Sequence, residues 1–424
     1  MKRVLAFLLS FVMILSGITG SIPVYASEKT TQDEDTTASL AGEDKETAAE
    51  NKTADESTPA LNLASEAAVL LEGSTGTILY EKNKDQKRFP ASITKIMTLI
   101  LIFEALDSGK IKLTDEVTVS EHAASMGGSQ VYLEPNEKQT VDTMIKCISI
   151  ASANDCCVAM AEYLAGSEPG FVKKMNAKAA ELGMKNTQFK NCCGLDDDIT
   201  DGHYSSAYDV ALMSRELIMK HPEISKYSTT WMDTITHVTK KGETQFGLTN
   251  TNKLVRTYTG ITGLKTGSTS KAKYCLSATA QRDGMNLIAV VMAAPEPKAR
   301  FGEAAALLDY GFSCCTMYHD DNKDLKLKPV AVKRGVTDHV NPAVISKFSY
   351  LLLKGQSADK ITKKIVYQKN LQAPIKDGQT VGEIRYFYDG KKIGSVPVIT
   401  ACKVDKAKFS DYMQKVVNKF FVAE

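Results

Sequence analysis

The sequence predicts an α/β unit followed by a small all-β domain and a C-terminal amphipathic helix. Three observations predict it. Strand-like runs at both ends of a helical region point to one unit whose terminal parts share a sheet. Beyond about His319 the texture changes to short alternating runs with turn signals, and the last stretch carries apolar residues at helical spacing.

The chain opens with Lys2 and Arg3, continues through an apolar stretch from Val4 to about Ile18, and reaches small residues at Val24-Tyr25-Ala26. This pattern predicts a secretory signal peptide over residues 1–26, cleaved after Ala26. The apolar run is short for a membrane span, and no later run of about 18 apolar residues occurs. Residues 27–60 form an acidic linker: from Ser27 to Glu56 there are ten acidic residues against three basic ones and no aromatic residue. Such a composition buries too little apolar surface to offset chain entropy, so the linker is expected to be disordered.

After the linker, Ala67–Leu71 and Thr77–Tyr80 read as two strands joined by the turn Gly73-Ser74-Thr75-Gly76. Helical patterns dominate from Ser92 to about Leu217, with a loop-rich section around Asn191–Ser206. The run Leu287–Met292 returns to strand, and a helix from Arg300 to about Tyr310 closes this unit, which is assigned to residues 61–318. Residues 319–403 are assigned to the β-rich domain, where Lys364–Tyr367 and Gly382–Tyr388 alternate and Asp377-Gly378 and Asp389-Gly390 mark turns.

Residues 404–424 form the tail. Phe409, Tyr412, Met413, Val416, Val417, Phe420 and Phe421 fall at helical spacing, with Lys408, Lys415 and Lys419 elsewhere on the wheel. This fits a helix lying flat in a membrane interface; the alternative is a helix packed on the β domain.

The net charge of +2 returns to zero once Lys2 and Arg3 are removed, and the linker carries an excess of seven negative charges, which leaves about +7 for the folded part. A mildly basic surface suits an acidic wall or membrane, and no stripe of Arg and Lys interleaved with aromatics points to nucleic acid. The nine cysteines are odd in number, three adjacent pairs among them, with no Cys-x-x-Cys and matching His. Most of them read as small apolar fillers, which in an exported protein hints at a low-oxygen habitat, and one or two disulfides remain open. No metal and no cofactor are expected, since the six histidines show no His-Glu-x-x-His spacing.

The chemistry is expected at Pro90-Ala91-Ser92-Ile93-Thr94-Lys95. A serine and a lysine three apart at a helix start share a face, so the amine reaches the hydroxyl as its base. Pro90 suits the first turn, and the apolar run Ile96–Phe103 predicts a buried helix behind the pair. Burial favours the neutral amine that a base requires. A second pair at this spacing, Ser270 and Lys273, receives no chemistry.

Two further signals follow in order: Ser152-Ala153-Asn154, with residue types that relay a proton and hold an amide, and Lys265-Thr266-Gly267-Ser268, where a glycine at a strand edge lets a ligand backbone approach. Together, Ser-x-x-Lys, Ser-x-Asn and Lys-Thr-Gly form the signature set of penicillin-binding proteins and class A β-lactamases. From about Leu63 onward the chain resembles the low-molecular-mass penicillin-binding proteins, the serine-type D-alanyl-D-alanine carboxypeptidases. Gly128-Ser129 with Tyr132-Leu133-Glu134-Pro135, the segment His203–Asp209 and Asn250-Thr251-Asn252 also look like that family. Departures are Cys156 and Cys157, where alanines are usual, and Lys273, where glycine is common.

The resemblance implies a penicillin-binding/β-lactamase-like transpeptidase fold acting on peptidoglycan stem peptides. It makes Ser92 the nucleophile, Lys95 its base and Ser152 the proton relay. Asn154, Lys265, Thr266, Gly267 and Ser268 would bind the substrate, and β-lactam antibiotics would acylate Ser92. It also implies an exported enzyme on the outer face of the bacterial cytoplasmic membrane, facing the wall.

Three alternatives stand beside this. A DD-endopeptidase would use the same site. A β-lactamase needs a device for fast deacylation, yet no Glu-x-x-x-Asn lies between Asn154 and Lys265. A non-catalytic wall-binding module would show decayed motifs. A triad through His203 is not expected, because Lys95 already fills the base role.

Overall fold

A computed structural model describes residues 61–197 and 199–421. The expected leader and acidic linker lie outside the described residues. The chain begins with β1 (Ala67–Glu72) and β2 (Ile78–Lys82), then a 3-10 turn at Ala91–Thr94 that runs into α1 (Lys95–Asp107). Next come β3 (Glu116–Thr118), α2 (Glu121–Ala124), β4 (Lys138–Thr140), α3 (Val141–Ile150), α4 (Asn154–Ala165), α5 (Glu168–Glu181), α6 (Ala207–Lys220) and α7 (Ile224–Ser228). The hairpin β5 (Met232–Thr239) and β6 (Gly242–Thr249) precedes α8 (Leu254–Thr257), and β7 (Ile261–Thr269), β8 (Lys273–Arg282), β9 (Met285–Ala294) and α9 (Ala299–Cys314) complete the unit.

Five strands form one antiparallel sheet in the order β2-β1-β9-β8-β7, so the first and last parts of the unit do share a sheet. The period-2 geometry of a strand explains why both partners read as unbroken apolar runs. Val69 and Leu71 of β1, with Ile288, Val290 and Met292 of β9, face the core built with α1, α3, α4 and α6. Ala68, Leu70, Leu287, Ala289 and Val291 face the other way, onto Ala304, Leu307 and Leu308 of α9. Both faces are covered, so both sets must be apolar.

The second domain starts without a spacer. Helix α9 leads straight into β10 (Cys315–Asp320), followed by β11 (Val330–Ala331), β12 (His339–Val340), β13 (Pro342–Ala343), β14 (Phe348–Leu353), β15 (Ile361–Tyr367), β16 (Thr380–Tyr388) and β17 (Lys391–Thr400). A four-stranded sheet, β13-β17-β16-β15, encloses its own core around Val381, Ile384, Tyr386 and Val398. Asp389 and Gly390 turn the β16–β17 hairpin with positive φ at both positions, the backbone such a tight turn requires.

Helix α10 (Phe409–Phe421) ends the described chain. Phe409 is 80% and Phe420 74% exposed, and Tyr412, Met413, Val416 and Val417 are exposed as well. Lys415 bonds Asp338 and the Gly335 carbonyl oxygen, which tethers the helix to the β domain by its polar side. No helix among the described residues is long and apolar enough to cross a membrane.

All nine cysteines are free and seven are buried. Burial pushes the thiols of Cys156 and Cys157 well up, so both remain neutral fillers inside α4.

Candidate active site

The helix expected from Ser92 begins later. Ala91 has φ +47, a left-handed conformation that no α-helix continues through; residues 91–94 wind as a 3-10 turn and α1 starts at Lys95. The tighter turn serves the pair well, because side chains three apart in a 3-10 helix lie one above the other. The Lys95 amine donates to Ser92 Oγ at 2.9 Å.

Lys95 is fully buried, and two other acceptors fix it: Asn154 Oδ1 at 2.6 Å and the Cys193 carbonyl oxygen at 2.7 Å. These three contacts fix the position of the amine beside Ser92. The Cys193 contact depends on Gly194, whose φ is +87 and whose hypothetical Cβ would lie 1.8 Å from the Ala91 carbonyl oxygen. Only glycine allows that strand of loop to press against the turn.

Asn154 opens α4 and is buried. Its amide nitrogen donates to the Gly127 carbonyl oxygen at 2.7 Å, leaving its second N–H uncommitted, and its backbone N–H bonds the Ser129 carbonyl oxygen at 2.7 Å. Ser152, two residues earlier, has φ +63 and a buried hydroxyl with no protein partner among the described residues. The structure thus brings Ser92, Lys95 and Asn154 into direct hydrogen bonding and places Ser152 on the adjoining loop with its hydroxyl unengaged.

Strand β7 is one edge of the five-stranded sheet, opposite β2, and carries the third motif. Lys265 is buried and donates to the Thr266 carbonyl oxygen at 3.1 Å. Burial first, and then the neighbouring Lys95 charge, push the Lys265 ammonium well below the ordinary lysine range. Among the described residues no carboxylate forms an ion pair with either amine. The Thr266 hydroxyl donates to Thr251 Oγ1 at 2.7 Å, and Ser268 is exposed at the strand end.

The glycine of this motif also permits a close approach within the chain. A Cβ at Gly267 would sit 2.8 Å from the Pro90 carbonyl oxygen and 3.1 Å from the Ile93 nitrogen. Its small size lets β7 close on the turn that bears Ser92, which sets the spacing between the second lysine and the serine.

His203 plays no part in a triad. Its Nδ1 accepts the Lys190 backbone N–H at 3.0 Å, so the proton sits on Nε2 and is directed at Thr94 Oγ1, 3.0 Å away. Burial holds the ring neutral, its value pushed down to about 4. Of the other pair, Lys273 bonds Glu66 Oε1 at 2.5 Å and stands at φ +56, a conformation glycine adopts freely.

Motif reading missed the backbone partners and the supporting shell. Asp155, fully buried, accepts from the backbone N–H groups of Val131 at 3.1 Å and Leu133 at 3.2 Å. Arg300 donates to the Gly267 carbonyl oxygen at 2.9 Å and so holds β7 from the α9 side. Asp155 sits one residue after Asn154, which is a usable sequence signal; the Cys193 carbonyl has none, since every residue carries one.

Comparison with known proteins agrees with this geometry. The D-alanyl-D-alanine carboxypeptidase family matches residues 51–296, and the C-terminal domain of penicillin-binding protein 5 matches residues 316–406. The D-alanyl-D-alanine carboxypeptidase DacF of Bacillus subtilis is 45% identical, over 84% of this chain and 90% of its own. The crystal structure of penicillin-binding protein 5 from Haemophilus influenzae superposes with a TM-score of 0.66 at 32% identity, covering 81% of this chain and 98% of that one. Penicillin-binding protein D2 from Listeria monocytogenes, solved in its ampicillin-bound form, gives 0.53 at 32% identity over 60% of this chain and all of that one. A serine and a lysine locked together beside an edge strand, on a chain this similar to those enzymes, make it a member of the D-alanyl-D-alanine carboxypeptidase family, a low-molecular-mass penicillin-binding protein.

Proposed function

We propose that Ser92 is the nucleophile of a serine-type D-Ala-D-Ala carboxypeptidase and that Lys95 is its base. The observation that carries this is the 2.9 Å contact between Lys95 Nζ and Ser92 Oγ. Ser92 Oγ attacks the carbonyl between the two terminal D-alanines of a peptidoglycan pentapeptide and its proton passes to Lys95. The backbone N–H groups of Ser92 and Ser268 receive the oxyanion, each worth roughly a hundredfold in rate. The C–N bond breaks as the proton held on Lys95 passes through the Ser152 hydroxyl, which receives one proton and gives one, to the departing D-alanine amine.

Substrate is held by groups of opposite kind. Lys265 and Thr266 take the terminal carboxylate, and the uncommitted N–H of Asn154 takes the preceding peptide carbonyl. Water then attacks the acyl-serine, which releases the shortened peptide and restores Ser92. Penicillin acylates the same serine, consistent with the ampicillin-bound relative. The absence of Glu-x-x-x-Asn between Asn154 and Lys265 favours this over a β-lactamase.

The deciding experiment measures D-alanine release from diacetyl-Lys-D-Ala-D-Ala, with fluorescent penicillin labelling of the same samples. Wild type releases D-alanine and takes the label, while Ser92→Ala does neither. Labelling without release would overturn the substrate, and fast nitrocefin turnover would favour a lactamase.

The enzyme works facing the cell wall. We infer that α10 fastens it to the outer membrane–water interface of the cytoplasmic membrane, because its apolar residues stay exposed while Lys415 is bound to the β domain. Truncation before Lys406 then moves an otherwise active protein from the membrane pellet to the supernatant; unchanged sedimentation would sink this attachment.

A further inference from the structure

Residues 270–272 turn β7 into β8 directly beyond the Lys265-Thr266-Gly267-Ser268 stretch, and the lysine in this turn makes contacts that no step of the reaction uses. Lys271 Nζ donates to three backbone carbonyl oxygens, those of Asp196 at 2.6 Å, Ile199 at 2.8 Å and Asp197 at 3.2 Å. The amine also stands 5.9 Å from the ring centroid of Phe89, the residue before Pro90. A parallel link lies beside it. Thr269 Oγ1 donates to Asp196 Oδ2 at 2.7 Å and accepts the Ala272 N–H at 2.9 Å, which closes the turn.

The loop held in this way is the one that serves the base. Three residues before Asp196, the Cys193 carbonyl oxygen accepts from Lys95. Asn191 stiffens the stretch between them: its Oδ1 accepts the Gly194 N–H at 2.7 Å and its amide nitrogen donates to the Leu195 carbonyl oxygen at 2.6 Å. Thr98 of α1 donates to the Cys192 carbonyl oxygen at 2.6 Å. The contacts close a ring. Lys95 holds Ser92 and the Cys193 carbonyl, the loop runs on to Asp196, and Lys271 returns it to the end of β7. Gly267 then brings β7 back onto Pro90 and Ile93, either side of Ser92. Ser268, whose N–H is assigned to the oxyanion, lies on that ring between Gly267 and Thr269.

We propose that Lys271 is a positioning residue for the chemical step: by tying the loop at Asp196 to the end of β7, it fixes the distance between the carbonyl that anchors Lys95 and the oxyanion donor at Ser268. This rests on the carboxypeptidase reading. Water can satisfy each of the three carbonyl oxygens once the amine is gone, but water is not joined to the strand and tethers nothing. Carboxylate binding stands apart from the tether. Lys265 and Thr266 lie inside the β7–β8 ladder, opposite Ser277 and Leu276, and the strand pairing holds them. Loss of Lys271 therefore falls on kcat and not on KM.

The test measures kcat and KM for D-alanine release from diacetyl-Lys-D-Ala-D-Ala, and the rate of acylation by fluorescent penicillin, in wild type, Lys271→Met, Lys271→Arg and Lys273→Met. Melting temperature and final label stoichiometry check folding. Lys271→Met is expected to lose about tenfold in kcat and in acylation rate with KM within about twofold of wild type, the scale of a sub-ångström misplacement. Lys271→Arg keeps a charged donor and recovers to within about threefold of wild type. Lys273→Met removes the same charge from the same hairpin, but its amine bonds Glu66 and not the loop, so it keeps the wild-type rate. An unchanged kcat in Lys271→Met overturns the assignment, as does a change confined to KM, an arginine variant as slow as the methionine one, or an equal fall in Lys273→Met. Wild type that takes the label yet releases no D-alanine would overturn the carboxypeptidase reading instead, and the acylation rates would still decide on Lys271.

Discussion

Two sites in this molecule bury lysine amines, and they do it in opposite ways. Lys178 of α5 is nearly covered, yet Glu104 and Glu181 lie 2.8 Å away and Glu216 3.2 Å. Burial works against its charge, but the three carboxylates outweigh it and hold the ammonium above the ordinary lysine range. Lys95 and Lys265 are buried together with hydroxyl, amide and carbonyl oxygens around them and no carboxylate partner among the described residues. A compensated amine stays charged and fastens helices. In the uncompensated pair, burial and the neighbouring Lys95 charge hold Lys265 well below the ordinary lysine range, which leaves a site ready to receive an anion.

The sharpest way to break this contrast is to remove each amine in turn. Lys265→Met takes away the carboxylate partner of the substrate, and kcat/KM for D-alanine release is expected to fall by about a hundredfold or more. Stability moves the other way. The unfolded lysine titrates near 10.4 and the folded one well below, so between those values the unfolded chain binds the extra proton. The contribution of Lys265 to stability is therefore greatest above about 10.4 and declines as the pH falls toward the folded value. Lys265→Met abolishes that slope and melts higher at neutral pH.

Lys178→Met should do the reverse: activity of the folded enzyme is retained, and stability falls by about 1–2 kcal/mol, the carboxylates being open enough to water to limit the loss. Urea titration with a D-alanine assay on both variants checks the pair. A destabilised Lys265→Met, or an inactive but folded Lys178→Met, would erase the distinction.

The same contrast explains what sequence reading reached. Ser92 and Lys95 are three apart on one turn, so local spacing alone puts the hydroxyl and amine together. The continuous apolar runs at Ala67–Leu71 and Leu287–Met292 reveal strands covered on both faces. The β5–β6 hairpin escaped notice because its strands form a two-stranded ribbon with mostly exposed residues, and Thr-Ile-Thr-His-Val-Thr carries no strong apolar pattern. Backbone conformation escaped too: nothing in an alanine at position 91 announces φ +47. Gly267 was legible as a close approach, but not the identity of the approaching atom, since Pro90 is 177 positions away in the chain.

Thr251 offers the finest test of the uncompensated site. With no carboxylate paired to Lys265 among the described residues, the orientation of neutral donors matters more, and the Thr266 hydroxyl has a single proton, directed at Thr251 Oγ1. To donate to a substrate carboxylate, Thr266 must turn that proton outward and accept one from Thr251 in exchange. Thr251→Val keeps the shape and removes the replacement donor. The expected consequence is a KM for D-Ala-D-Ala peptides raised about fivefold, near 1 kcal/mol for one neutral hydrogen bond, with kcat almost unchanged. Thr251→Ser retains the hydroxyl and should restore wild-type KM. A valine variant with unaltered KM would show that Thr266 binds the carboxylate without help, whereas a loss confined to kcat would place the hydroxyl pair in the chemical step rather than in binding.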